Sequence, residues 1–98
     1  MLHASVLSGQ VKQGELDHAI NIYKQSILPV LQAQAGFIRS ILLCNPDTQQ
    51  FISIFYWGSM VELLAGEASA YLQAQLREMR VLLKQPLVNE HYVVRSHY

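Results

Sequence analysis

Two adjoining stretches decide the fold: Phe37 to Cys44 (FIRSILLC) and Gln50 to Trp57 (QFISIFYW), joined by Asn45-Pro46-Asp47-Thr48. Both are β-branched or aromatic along most of their length, which favours extended chain over helix. Pro46 suits the second position of a type I turn. The pair therefore reads as an antiparallel hairpin. In the first strand Ile41 and Leu43 share a face with Phe37 and Arg39, while Ile38 and Leu42 lie on the other. In the second, Phe51, Phe55 and Trp57 point one way and Ile52, Ile54 and Tyr56 the other. A hairpin that is apolar on both faces belongs to a sheet covered twice.

Upstream, Leu2, Ala4, Val6 and Leu7 give a weak period of two before Gly9, which predicts a strand over about residues 2–11. Gly14-Glu15-Leu16-Asp17 puts two acids into the first turn of a helix, where they complement its dipole. Leu16, Ile20, Tyr23, Ile27 and Leu31 then recur at spacings of three and four, so this helix carries one apolar stripe and ends at Gly36. Pro29 inside that pattern removes a backbone bond and predicts a kink or brief break near Gln25 and Ser26. Downstream, Ser59 followed three residues later by Glu62 has capping-box spacing for a short helix through Leu64. After Gly66, Leu72, Leu76, Met79 and Leu83 mark a longer helix, stopped by Pro86. Val88 to Arg95 (VNEHYVVR) is a last strand. The order β-α-β-β-α-β predicts an α+β, ferredoxin-like fold: a four-stranded antiparallel sheet with its two long helices on one face.

The chain has 98 residues, 7 of them basic and 7 acidic, so its formal charge is zero. One domain over 1–98 suits this length, and nothing resembles a linker or a repeat. Neutrality argues against a nucleic-acid partner, which calls for a clustered excess of Lys and Arg. The single cysteine, Cys44, has no internal disulfide partner, and Met1 to Gly9 lack the pattern of a signal peptide. No apolar run reaches the roughly 18 residues of a membrane span. A cytoplasmic protein with no membrane partner is expected.

Helices on one face leave the other bare. Each large apolar side chain left in water forgoes about 1.5–3 kcal/mol, against a net stability of roughly 5–15 kcal/mol for a whole domain. The predicted cover is a second copy of the sheet, since symmetric dimers are the commonest oligomers. A homodimer packed sheet to sheet is therefore expected, the alternative being cover by the ends of the chain itself.

The chain resembles the antibiotic biosynthesis monooxygenase-like family of the dimeric α/β-barrel superfamily. The likeness runs through Gly14-Glu15-Leu16-Asp17, Leu28-Pro29 with Ala35-Gly36-Phe37, Trp57 at the end of the third strand, and Glu90-His91-Tyr92 in the last. It implies a ferredoxin-like unit paired sheet to sheet, and, in part of the family, oxidation of aromatic or polyketide-like molecules with neither metal nor flavin as cofactor. In several members the tryptophan lies beside an internal barrel pocket, the place that Trp57 matches. Haem-degrading members carry an iron-ligating histidine about ten residues beyond it; here that place is Glu67, which argues against haem degradation.

Phe51, Phe55, Tyr56 and Trp57 fall in one strand, and such rings either line a pocket for a flat apolar ligand or form dimer core. His91 lies mid-strand, where a neutral imidazole could take a proton from a phenolic substrate or simply satisfy a hydrogen bond. Arg39, among apolar neighbours, either snorkels, pairing with an acid such as Glu90, or reaches in to hold an anionic oxygen. Tyr92 is a further polar partner. The histidines have no metal-binding spacing, and neither a nucleophile elbow nor a phosphate loop is present. Three readings follow. One is a monooxygenase with His91 and Trp57 as catalytic residues and Arg39, Phe55, Tyr56, Trp57 and Tyr92 around the ligand. The others are a non-catalytic ligand-binding or stress-related homodimer, and a structural dimer whose barrel is filled, favoured if no cavity exceeds about 100–200 Å³.

Overall fold

In the computed structural model, which describes residues 1–97, the hairpin forms as its residue types require. Strand β2 (Phe37–Asn45) pairs antiparallel with β3 (Gln50–Trp57), from Asn45 opposite Gln50 to Phe37 opposite Trp57. The turn is held by Asn45, whose Oδ1 accepts from the backbone N–H of Asp47 at 3.0 Å and of Thr48 at 3.3 Å. Strand β1 (His3–Gln10) pairs with β3 on one side and β4 (Val88–Val93) on the other, giving the antiparallel order β2-β3-β1-β4. This is the ferredoxin-like α+β fold expected from the order of elements.

The first long helix is divided. Helix α1 (Leu16–Ile22) passes into a π-helical turn (Tyr23–Ile27) and then α2 (Leu28–Gln32). In an α-helix the N–H of residue 29 would bond to the carbonyl of Gln25, and Pro29 has none to offer. The turn widens there, and Leu28 N–H bonds to Tyr23 O, five residues back. The break expected near Gln25 and Ser26 is this wide turn.

Helix α3 (Met60–Glu67) opens on the expected capping box. Ser59 Oγ accepts from Glu62 N–H at 3.2 Å and donates to Glu62 Oε1 at 2.9 Å. Helix α4 (Ala70–Arg80) carries Leu72, Leu76 and Met79 into the core and ends before Leu83, which instead forms a lone bridge with Val11. Among the described residues, no helix is long and apolar enough to cross a membrane.

All the helices lie on one face of the sheet, where Phe51, Phe55 and Trp57 join Ala19, Tyr23 and Leu31 in one core. Alternation in β3 sends Ile52, Ile54 and Tyr56 to the other face. That face is bare: Ile52 is 41% exposed, Leu43 50%, Val88 52% and Tyr92 50%. Among the described residues, the ends of the chain do not cover it.

Strand β2 departs from simple alternation. A bulge between Phe37 and Arg39 shifts the register, so Phe37 faces the helices while Arg39, Ile41 and Leu43 face away. The expectation that Phe37 and Arg39 share a face is thus corrected. Arg39 sits 5.5 Å from the centre of the Tyr56 ring, a cation–π contact on the open face. Nor does Arg39 meet Glu90: β2 and β4 are opposite edges of the sheet, three strand spacings or roughly 14 Å apart.

Ser59→Ala removes the hydroxyl that caps α3, and urea denaturation should show a loss of about 1 kcal/mol with an unchanged m-value.

Candidate functional site

Trp57 closes β3 and is 0% exposed. Its indole packs edge-on against Phe37, with ring centres 5.4 Å apart at 78°, and its Nε1 donates to Ser5 Oγ at 3.4 Å. Helix α3 lies directly on the ring. A Cβ on Gly66 would stand 2.2 Å from the outer edge of the indole, so only glycine lets the helix approach this closely.

Beside the indole, between the sheet and α4, is a partly enclosed cavity of about 160 Å³. Its apolar wall includes Trp57, Phe55, Leu31, Leu72 and Leu76, and its polar lining comes from Ser5, Glu67, Gln73, Arg80 and Asn89. A smaller gap of about 30 Å³ lies beyond, between Tyr23, Cys44, Phe51 and Met79. Leu7, Phe55, Leu76 and Leu87 line both, so only side chains separate the two. The larger space falls short of the roughly 300–1,000 Å³ of drug-sized ligand sites. It matches the roughly 150 Å³ that holds one benzene ring.

The polar groups are connected. Glu67, the last residue of α3, accepts at Oε1 from His91 Nε2 at 2.5 Å and at Oε2 from Asn89 Nδ2 at 2.5 Å. Asn89 and His91 are alternate residues of β4, so one strand face supplies both donors. Gln73 Nε2 donates to the backbone carbonyl of Glu67 at 2.7 Å, and Arg80 Nη2 donates to Gln73 Oε1 at 3.4 Å. Among the described residues Arg80 has no carboxylate partner, and no group of three or more ligating side chains could hold a metal ion.

The cavity brings together only part of the set read from the sequence. Trp57 and Phe55 line it, and His91 reaches it through Glu67. Arg39, Tyr56 and Tyr92 are on the open face of the sheet, where the bulge and the period of two put them, and do not reach it. Charge from neighbouring Glu90 pushes the Tyr92 hydroxyl pKa up, with their hydrogen bond adding to the effect. Burial pushes the Tyr23 phenol and the Cys44 thiol up, so both remain protonated near neutral pH. Asn89, Arg80, Gln73 and Ser5 are not found by sequence reasoning, and Glu67 enters it only as the residue at the place of a haem-ligating histidine. The available signal was Asn89 and His91 on one strand face opposite an acid at a helix end.

No protein-family model matches the sequence, and no curated protein matches it. Solved structures do match in three dimensions. SnoaB, a cofactor-independent oxygenase from Streptomyces nogalater, superposes with a TM-score of 0.84 at 16% identity, over 98% of this chain and 95% of that one. The chain has the fold of these solved structures. A structure named antibiotic biosynthesis monooxygenase matches with a TM-score of 0.78 at 12% identity, over 98% of this chain and 100% of the other. Rv0793 from Mycobacterium tuberculosis gives 0.81 at 13%, over 99% and 98%. At such identities the likeness to these proteins is one of fold.

Gly66→Ala should lower stability by about 1–3 kcal/mol, because the new methyl must displace the indole or the helix. Thermal melting with a shift in Trp57 emission checks this; an unchanged midpoint would mean that α3 does not rest on the ring.

Proposed function

We propose that the chain is a monooxygenase acting on a small single-ring aromatic molecule, a phenol or hydroquinone, in the cavity beside Trp57. The observation that carries this reading is a space of about 160 Å³ that is apolar on one side and has in its polar lining a guanidinium, Arg80, with no carboxylate partner among the described residues. That volume suits a single ring better than a polycyclic, polyketide-sized molecule. The fold shared with a cofactor-independent oxygenase supports the choice of reaction.

The chemistry balances without further reagents. Loss of a ring hydroxyl proton leaves an anion shared between oxygen and ring carbons, and Arg80 offers a fixed positive charge to it. A ring carbon then gives its electrons to dioxygen and a C–O bond forms. Cleavage of the O–O bond releases water and leaves a carbonyl. For hydroquinone, one dioxygen enters, and one hydroxyquinone and one water leave, the substrate supplying all four electrons.

The protein is further proposed to act in the cytoplasm as a homodimer whose bare sheet faces close on each other. Ile52, Ile54, Leu43 and Tyr56 would then be dimer core, and the Arg39–Tyr56 pair would lie at or within the interface. A second reading, a structural dimer with a filled barrel, is favoured by the small size of the cavity; the polar lining favours a ligand.

Oxygen uptake with hydroquinone in the presence of a chelator should be saturable, and Trp57→Phe should lower kcat/KM by about tenfold or more. Saturable quenching of Trp57 without uptake would mean a binding module, and neither response would mean a filled barrel. Light scattering at low micromolar concentration should give twice the monomer mass, and Ile54→Glu, which puts a charge on the bare face, should give the monomer. A wild-type monomer would remove the dimer from this reading.

A further inference from the structure

Glu67 is the one carboxylate in the cavity lining, and what surrounds it is unusual for a half-buried acid. Its two oxygens receive N–H donors from two side chains of a strand on the far side of the cavity mouth, His91 and Asn89, at 2.5 Å each. An ionised carboxylate only accepts, and its two oxygens offer about four lone-pair positions. His91 Nε2 lies 2.5 Å from Oε1 and 3.1 Å from Oε2, so it spans both, and Asn89 takes one position on Oε2. At least one lone pair is left for a proton arriving from the cavity side. The backbone is pinned as well, since Gln73 Nε2 holds the Glu67 carbonyl at 2.7 Å and thereby the end of α3.

We propose that Glu67 is the proton-accepting catalytic residue of this cavity, and that His91 and Asn89 are positioning residues that aim its free lone pair at a ring hydroxyl. The inference rests on the reading of the cavity given above and moves the proton from His91, the candidate read from the sequence, to Glu67. The ring O–H bond breaks, its electron pair stays on oxygen as phenolate, and the proton goes to a Glu67 oxygen. Arg80, linked to Gln73 at 3.4 Å, is the cation left to face the phenolate.

The titratable and charged groups that face Glu67 are His91 from β4 and Arg80 from α4.

The test is oxygen uptake with hydroquinone, with affinity measured separately by Trp57 quenching. Glu67→Gln should lower kcat by about 100-fold or more while affinity stays within about threefold. Glu67→Asp, a carboxylate withdrawn by one methylene, should recover part of that loss. His91→Gln keeps an N–H donor, so it should retain more activity than Glu67→Gln, and what it loses should appear in kcat while affinity stays within about threefold. A turnover within about threefold of wild type in Glu67→Gln would overturn the assignment and leave the oxygenase reading intact. Binding of hydroquinone without oxygen uptake by the wild type, or no binding, would overturn both.

Discussion

Burial of the Trp57 indole between the sheet and α3 is the contact on which the rest of the molecule depends. The ring is fully enclosed, so its area contributes more than that of most side chains in the core. The enclosure needs three unrelated residues to agree. Phe37 meets the ring edge-on, Ser5 accepts its N–H, and Gly66 leaves the space in which α3 comes down on it. That position of α3 also sets where Glu67, its last residue, emerges. The packing of one aromatic ring thus places a carboxylate at the mouth of the neighbouring cavity.

The sheet divides its two faces between different tasks. On one, Phe51, Phe55 and Trp57 bury against the helices; on the other, aliphatic and aromatic side chains of β2, β3 and β4 stay half exposed. The bulge after Phe37 makes this division sharp. It lets Phe37 serve the indole while the next charged residue, Arg39, turns to the open face and lies over Tyr56. The polar groups of the cavity come from elsewhere: Ser5 of β1, the end of α3, Gln73 and Arg80 of α4, and the edge strand β4.

Much of the fold was legible in the sequence because it follows from local rules. Alternation in β3, the three-and-four spacing of Leu72, Leu76 and Met79, the cap of Ser59 on Glu62 and the break at Pro29 each act over a few residues, and each appears in the structure. The candidate site was only partly legible. Trp57 and Phe55 could be named because a strand's inner face is visible in its alternation. Glu67 could not, because its partners Asn89 and His91 lie more than twenty residues away and meet it only when β4 pairs with β1. Arg39 was placed on the face of Phe37 because alternation carries no record of a bulge.

The hairpin that is apolar on both faces is a property of the sequence alone, since side-chain alternation is set by the geometry of extended chain. From it come the sheet, the one-sided helical layer and a face that demands cover. What surrounds Trp57 is a tertiary matter. A cavity of one ring's volume, a carboxylate held by two donors and a guanidinium are brought together by the strand order β2-β3-β1-β4 and by a glycine that lets a helix descend. The physical reason is range: dihedral preference and periodicity act between neighbours, whereas a site is made of distances between residues that the chain keeps far apart.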